Sequence, residues 1–158
     1  MSIAVALGSD HAGYHLKELV KVHLLELGVK VVDFGASASD VAVDYPRYCA
    51  PAARAAVAGR VDFAIVFGGS GQGEQIAANK VQGARAALCF NELSARLARQ
   101  HNDANVLALG SRLIGVELAI AIVDSFLGSS FEGGRHSRRV QLLSDLESGV
   151  DIDEAEPR

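Results

Sequence analysis

The chain has 158 residues, 49% of them apolar, with 16 glycines, 3 prolines and a net charge of −4. That composition builds one domain able to bury roughly two thirds of its unfolded surface, and it excludes a disordered or collagen-like polymer. The acidic excess gathers at residues 150–158, where Asp151, Asp153, Glu154 and Glu156 stand against Arg158, leaving 14 basic and 15 acidic residues elsewhere.

A near-neutral body argues against nucleic acid as a partner, and no apolar run is long enough to span a membrane. The opening MSIAVALGSD reads as a strand without a basic leader, so a cytoplasmic location is the expectation. Cys49 and Cys89 lie in or beside apolar segments without C-x-x-C spacing, which points to buried free thiols and to neither a zinc site nor a disulfide.

In chain order, Ile3–Leu7 reads as a buried strand, Tyr14–Leu27 as a helix stopped by Gly28, and Val29–Phe34 as a second buried strand. Pro46–Ala58 follows, a helix with proline in its first turn, and then Phe63–Phe67 as a third strand and Glu74–Lys80 as a third helix. Arg85–Cys89 is the fourth strand, Asn91 the N-cap of a helix reaching about His101, and Val106–Leu109 the fifth strand. Val116–Leu127 and His136–Glu147 complete the helices, and the acidic tail beyond residue 149 is expected to be disordered. Residues 1–149 thus form one domain, a three-layer α/β/α sandwich around a five-stranded parallel sheet, with neither internal repeat nor linker.

In such sheets, ligands bind beyond the carboxyl ends of the strands. That rule selects Gly8-Ser9-Asp10-His11-Ala12-Gly13, Gly68-Gly69-Ser70-Gly71-Gln72-Gly73-Glu74 and Gly110-Ser111-Arg112. The second loop carries four glycines after a buried strand and opens a helix, an arrangement that turns backbone N–H groups toward an anion. It does not match the dinucleotide, Walker or G-x-S-x-G patterns. Glu74 borders the loop, where desolvation would raise its basicity enough to take a proton from carbon. His101 can give or take a proton near neutral pH. Arg135 and Arg139 place positive charge at a helix start, where it is unfavourable without a bound anion; they share one helical face and Arg138 is expected to point elsewhere.

The segments GSDHAG (8–13), DYP (44–46), GGSGQGEQIAANK (68–80), GARAALC (83–89), HNDANVLALGSR (101–112) and GRHSRRV (134–140) together resemble the ribose-5-phosphate isomerase B and galactose-6-phosphate isomerase family over nearly the whole chain. The resemblance implies a Rossmann-like sheet of order 2-1-3-5-4 and a cofactor-free, metal-free aldose-ketose isomerase. It implies that Asp10 and His11 contact the sugar, that Gly69, Ser70, Gly71, Gln72 and Gly73 form an anion hole, and that His101 assists ring opening while Asn102 binds substrate. Arg112, Arg135 and Arg139 would hold the phosphate, in sites shared between two subunits of a homodimer, with a tetramer left open. Many members place a cysteine base at the position of Gly68, so Glu74 is expected to be the base here, as in the actinobacterial-type branch. The alternatives are an isomerase of a tetrose or hexose phosphate and a binding module without catalysis.

Overall fold

The structure is a computed structural model that describes residues 3–153. Most of the acidic tail, from Glu154 onward, lies outside the described residues. The elements are β1 (Ala4–Ser9), α1 (Tyr14–Glu26), β2 (Lys30–Asp33), α2 (Pro46–Val57), β3 (Phe63–Gly68) and α3 (Gln72–Asn79), followed by β4 (Ala86–Leu88), α4 (Glu92–Asn102), β5 (Val106–Gly110), α5 (Val116–Leu127) and α6 (Arg135–Glu147).

The five strands are all parallel, in the order β2-β1-β3-β5-β4. Alternation along the strands sends Val5, Leu7, Ile65, Phe67, Leu107 and Leu109 to one face and Ala6, Ala64, Val66, Val106 and Ala108 to the other. The first face is covered by α1, α4 and α5, whose Leu16, Val20 and Leu24, and Ala119, Ile122, Val123 and Phe126, recur at helical spacing. The second face packs mostly against alanines and Cys49 of α2 and Ala78 of α3. Small side chains there let both helices lie close to the sheet, and both cysteines are buried and free, as expected.

One expectation is corrected. The second strand is not buried: Lys30, Val32 and Asp33 are exposed, because β2 is an edge strand paired on one side only. Its end is nonetheless anchored by charge. Lys17 of α1, with only 2% of its side chain exposed, lies 2.7 Å from Asp33 and 2.6 Å from Glu18, and Lys21 also reaches Asp33 at 2.8 Å. Burial opposes ionisation of Asp33, but hydrogen bonds from Lys17, Lys21 and the Gly35 N–H outweigh it and hold its carboxyl below the ordinary range.

The other edge, β4, is closed by side chains of α3. Asn79 accepts from the Ala86 N–H at 2.8 Å and donates to the Ala86 carbonyl at 3.0 Å, and Gln75 donates to that carbonyl at 3.2 Å. The helix that begins at Gln72 is thereby tied to the sheet next to the glycine-rich loop. Among the described residues no helix is long and apolar enough to cross a membrane.

Candidate active site

At the carboxyl edge of the sheet, the loops after β1, β3 and β5 come together. Gly71 adopts φ +77° and acts as N-cap of α3, so the chain turns sharply and the helix starts at Gln72, two residues before the sequence suggests. Gly73 and Glu74 therefore stand in the first helical turn. The Ser111 and Arg112 N–H groups donate to the carbonyls of Gly68 and Gly69 at 2.8 and 2.9 Å, which joins the third loop to the second. The Arg112 guanidinium lies flat over Gly69, so close that a methyl group there would come within 3.1 Å of it.

Glu74 is 4% exposed and points back under the loop. Its carboxylate occupies the space in front of Gly68 so completely that a Cβ at residue 68 would overlap it. A side chain at position 68 and the Glu74 carboxylate are thus mutually exclusive in this geometry. Burial raises the Glu74 carboxyl above its ordinary range; hydrogen bonds from its own N–H and that of Gly71 oppose the rise, and the negative charge of Asp10 adds to it. A raised carboxyl with restricted water access has the properties of a base for a carbon-bound proton.

The expected anion hole is modified accordingly. The Gly71 N–H serves the Glu74 carboxylate, and the Gln72 N–H donates to the Ser70 hydroxyl at 3.3 Å. Part of the loop's donor set is therefore engaged within the loop. Asp10 is buried and accepts from the Gly13 N–H at 2.9 Å, which holds the entry to α1. His11 accepts the Val43 N–H on Nδ1 at 3.2 Å, placing its proton on Nε2. Cys49 lies beneath this group; burial first, then the charges of Glu74 and Asp10, push its thiol well above the ordinary range, so it is no nucleophile.

The remaining expected residues lie at the opposite edge. Helix α4 leaves the carboxyl end of β4 and returns to the start of β5, so His101 and Asn102, at its end, stand beside the amino ends of the strands. The strands between are five or six residues long, a span of roughly 16–20 Å. Arg135 and Arg139 open α6 at the same edge, because the Glu132 N–H donates to the Gln100 carbonyl at 3.0 Å and the His136 ring stacks on His101 with centroids 4.2 Å apart. Arg138 corrects an expectation: with Arg135, Arg139 and Leu142 it lines one surface depression, since residues three apart on a helix are neighbours as surely as those four apart. Asn102 is exposed and borders a separate cleft of about 430 Å³ between α3, β4 and α6.

Glu132, His101 and His136 bring potential metal-ligating atoms within 4.8 Å of one another. The two rings are parallel to within 7°, so their nitrogen lone pairs do not converge on one point as ligands of a shared ion require.

Two residues with no role assigned in the sequence emerge here. Tyr45, from DYP, sets its ring against Gly73, where a Cβ would come within 2.6 Å of it. His136, from GRH, is 5% exposed beneath His101. Their motifs were visible in the sequence, but their contacts are made across the fold.

Comparison with known proteins identifies the family. The model of the Ribose/Galactose Isomerase family matches residues 5–143. Ribose-5-phosphate isomerase B of Escherichia coli K12 is 49% identical over 143 residues, covering 90% of this chain and 95% of that protein. The protein of that name from Mycobacterium tuberculosis H37Rv is 46% identical, covering 90% and 89%. Among solved structures, ribose-5-phosphate isomerase B of Clostridium thermocellum superposes with a TM-score of 0.91 at 46% identity, covering 93% of this chain and 99% of that one. The sheet order, the glycine-rich loop and these similarities lead to one conclusion: the chain belongs to the ribose/galactose isomerase family.

Proposed function

We propose that the protein interconverts ribose 5-phosphate and ribulose 5-phosphate, with Glu74 as the proton carrier, in sites that each combine the carboxyl edge of one subunit with the amino edge of another. The single observation that carries the choice of base is the Glu74 carboxylate filling the space before Gly68. The separation of the expected residues onto two edges of one sheet favours a homodimer over a self-contained monomer, because a pentose phosphate is shorter than the strands that divide them.

In this mechanism Arg112 of one subunit and Arg135 and Arg139 of the other hold the phosphate. The His101 imidazolium gives its proton to the ring oxygen as the bond from that oxygen to C1 breaks, and Asp10 assists removal of the C1 hydroxyl proton, leaving an open aldehyde. Asn102 and His11 hold sugar hydroxyls. Glu74 takes the C2 proton, and the negative charge that develops on O1 is met by the Ser70 hydroxyl and by those N–H groups of residues 69–73 that Glu74 and Ser70 do not already engage. The protonated Glu74 returns its proton to C1 while the O2 proton passes to O1, completing the ketose with Glu74 ionised again. No group outside the chain is consumed, and the reaction is assigned to the cytoplasm.

The test is NMR of the purified protein with ribose 5-phosphate in deuterated water. Ribulose 5-phosphate should form with deuterium at the transferred carbon, and Glu74→Gln should lose turnover by about 10³-fold while still binding the sugar phosphate. Turnover of erythrose 4-phosphate alone would keep the chemistry and change the substrate. Saturable sugar-phosphate binding with no turnover of either would make the protein a binding module.

A further inference from the structure

At the amino edge, one side chain has a placement that the mechanism above does not use. His136 is 5% exposed in the first turn of α6, its ring parallel to that of His101 within 7° at a centroid distance of 4.2 Å. It also meets Arg135, whose Nε donates to His136 Nε2 at a long 3.4 Å. A ring nitrogen that accepts an N–H carries no proton, so His136 is neutral with its proton on Nδ1. The segment before it is set by the Glu132 N–H bond to the Gln100 carbonyl and by Gly133 and Gly134 at φ +65° and +54°.

We propose that His136 is a positioning residue for ring opening, a buried neutral imidazole that fixes the plane of His101 on one face and the direction of the Arg135 guanidinium through its own Nε2. The inference rests on the reading of His101 as the ring-opening acid and Arg135 as a phosphate ligand.

Three physical points support it. A histidine at a helix end otherwise exchanges among rotamers, and a flat partner removes most of that freedom. A neutral aromatic face beneath an imidazolium attracts it, whereas two stacked cations repel. The surroundings keep His136 in the useful form: burial, then His101 of α4 and Arg135 and Arg139 of α6, hold its imidazole below the ordinary range, and only Glu132, 3.9 Å away, opposes them. For filling space alone, an apolar side chain of similar size would serve as well, without desolvating a polar ring.

The test separates ring opening from proton transfer. Ribulose 5-phosphate cannot close a furanose, because its O5 carries the phosphate, so exchange of its C1 proton with deuterated water needs Glu74 but no ring chemistry. Net conversion of ribose 5-phosphate needs both. With both rates measured at saturating sugar phosphate, His136→Leu should lower conversion by about tenfold or more and leave C1 exchange within about twofold of wild type. His136→Asn, which keeps an acceptor for Arg135 without the aromatic face, should behave like the leucine variant. His136→Phe, which keeps the face and loses the acceptor, should recover conversion to within about threefold, with a raised KM from the freed Arg135.

Parallel loss of both rates in the leucine and asparagine variants, no change in either rate, or a phenylalanine variant no better than leucine would overturn the positioning role with the enzyme reading intact. A wild-type protein that performs neither reaction would overturn both.

Discussion

The two edges of the sheet carry opposite chemistry. The carboxyl edge is built of glycines and two buried carboxyl groups, Asp10 and Glu74, and the guanidinium that lies over its glycine-rich loop, Arg112, is exposed. The amino edge is imidazole and arginine: His101, His136, Arg135, Arg138 and Arg139. The first edge can take a proton but offers a phosphate little charge, and the second can hold a phosphate and give a proton but has no buried carboxylate among the described residues. The contrast teaches that the fold rule for parallel sheets, which points to the carboxyl edge alone, would locate only half of the site proposed above.

The predictions test the contrast. After the loss of turnover expected of Glu74→Gln, the largest effect belongs to the basic edge: Arg135→Ala combined with Arg139→Ala should raise KM for ribose 5-phosphate by about 10²-fold or more, since each charge-assisted bond to phosphate contributes about 1.5–3 kcal/mol, while kcat falls much less. Equal loss in kcat would mean these residues act on the reacting carbons.

Next comes the acidic edge. Gly68→Ala should displace the Glu74 carboxylate, lowering kcat by about tenfold and costing about 1–3 kcal/mol of stability by overpacking, readable by steady-state kinetics and urea unfolding. Full activity with unchanged stability would show that the carboxylate does not need that space.

Asp33→Asn is the control outside both edges' chemistry. It should cost about 2 kcal/mol of stability, because Glu18 is then the carboxylate left to pair with Lys17, and leave kcat and KM unchanged.

The smallest effect concerns pH. The folded-state Glu74 carboxyl is raised, so its contribution to stability is fully present below the unfolded value of about 4.3 and is lost as pH rises through the folded value. Glu74→Gln should therefore melt a few degrees higher than wild type at neutral pH, and the gain should shrink toward acid pH. A lower melting temperature at neutral pH would show that the ionised carboxylate is stabilising where it sits.

Much of this was legible in the chain. The strands announce themselves as β-branched apolar runs ending in turn signals, and α5 matches the expected Val116–Leu127 span because Gly115 and Gly128 bracket it. The start of α3 was less legible, since Gly71-Gln72-Gly73 reads as loop until the left-handed Gly71 turns the chain directly into a helix. Exposure of β2 depends on which strand lies at the edge, a property of the assembled sheet that Val31-Val32 does not reveal.

Glu74 stood out by its position beside the glycines. Its fit against Gly68 is a short-range contact made by the sharp β3–α3 turn at Gly71, whereas the stacking of His136 on His101 joins segments far apart in the chain through the 128–134 connection.

The most direct test of the shared site is subunit complementation. Glu74→Gln impairs the carboxyl edge, and a double variant with His101→Leu and Arg139→Ala impairs the amino edge, so each homodimer should be nearly inactive. Unfolded together and refolded at equal amounts, half the dimers should be mixed, each with one intact site and one doubly damaged, giving about a quarter of wild-type activity by simple counting. Recovery near that level is the result predicted here. No activity above the sum of the two variants, with mixed dimers present, would contradict a site divided between two subunits.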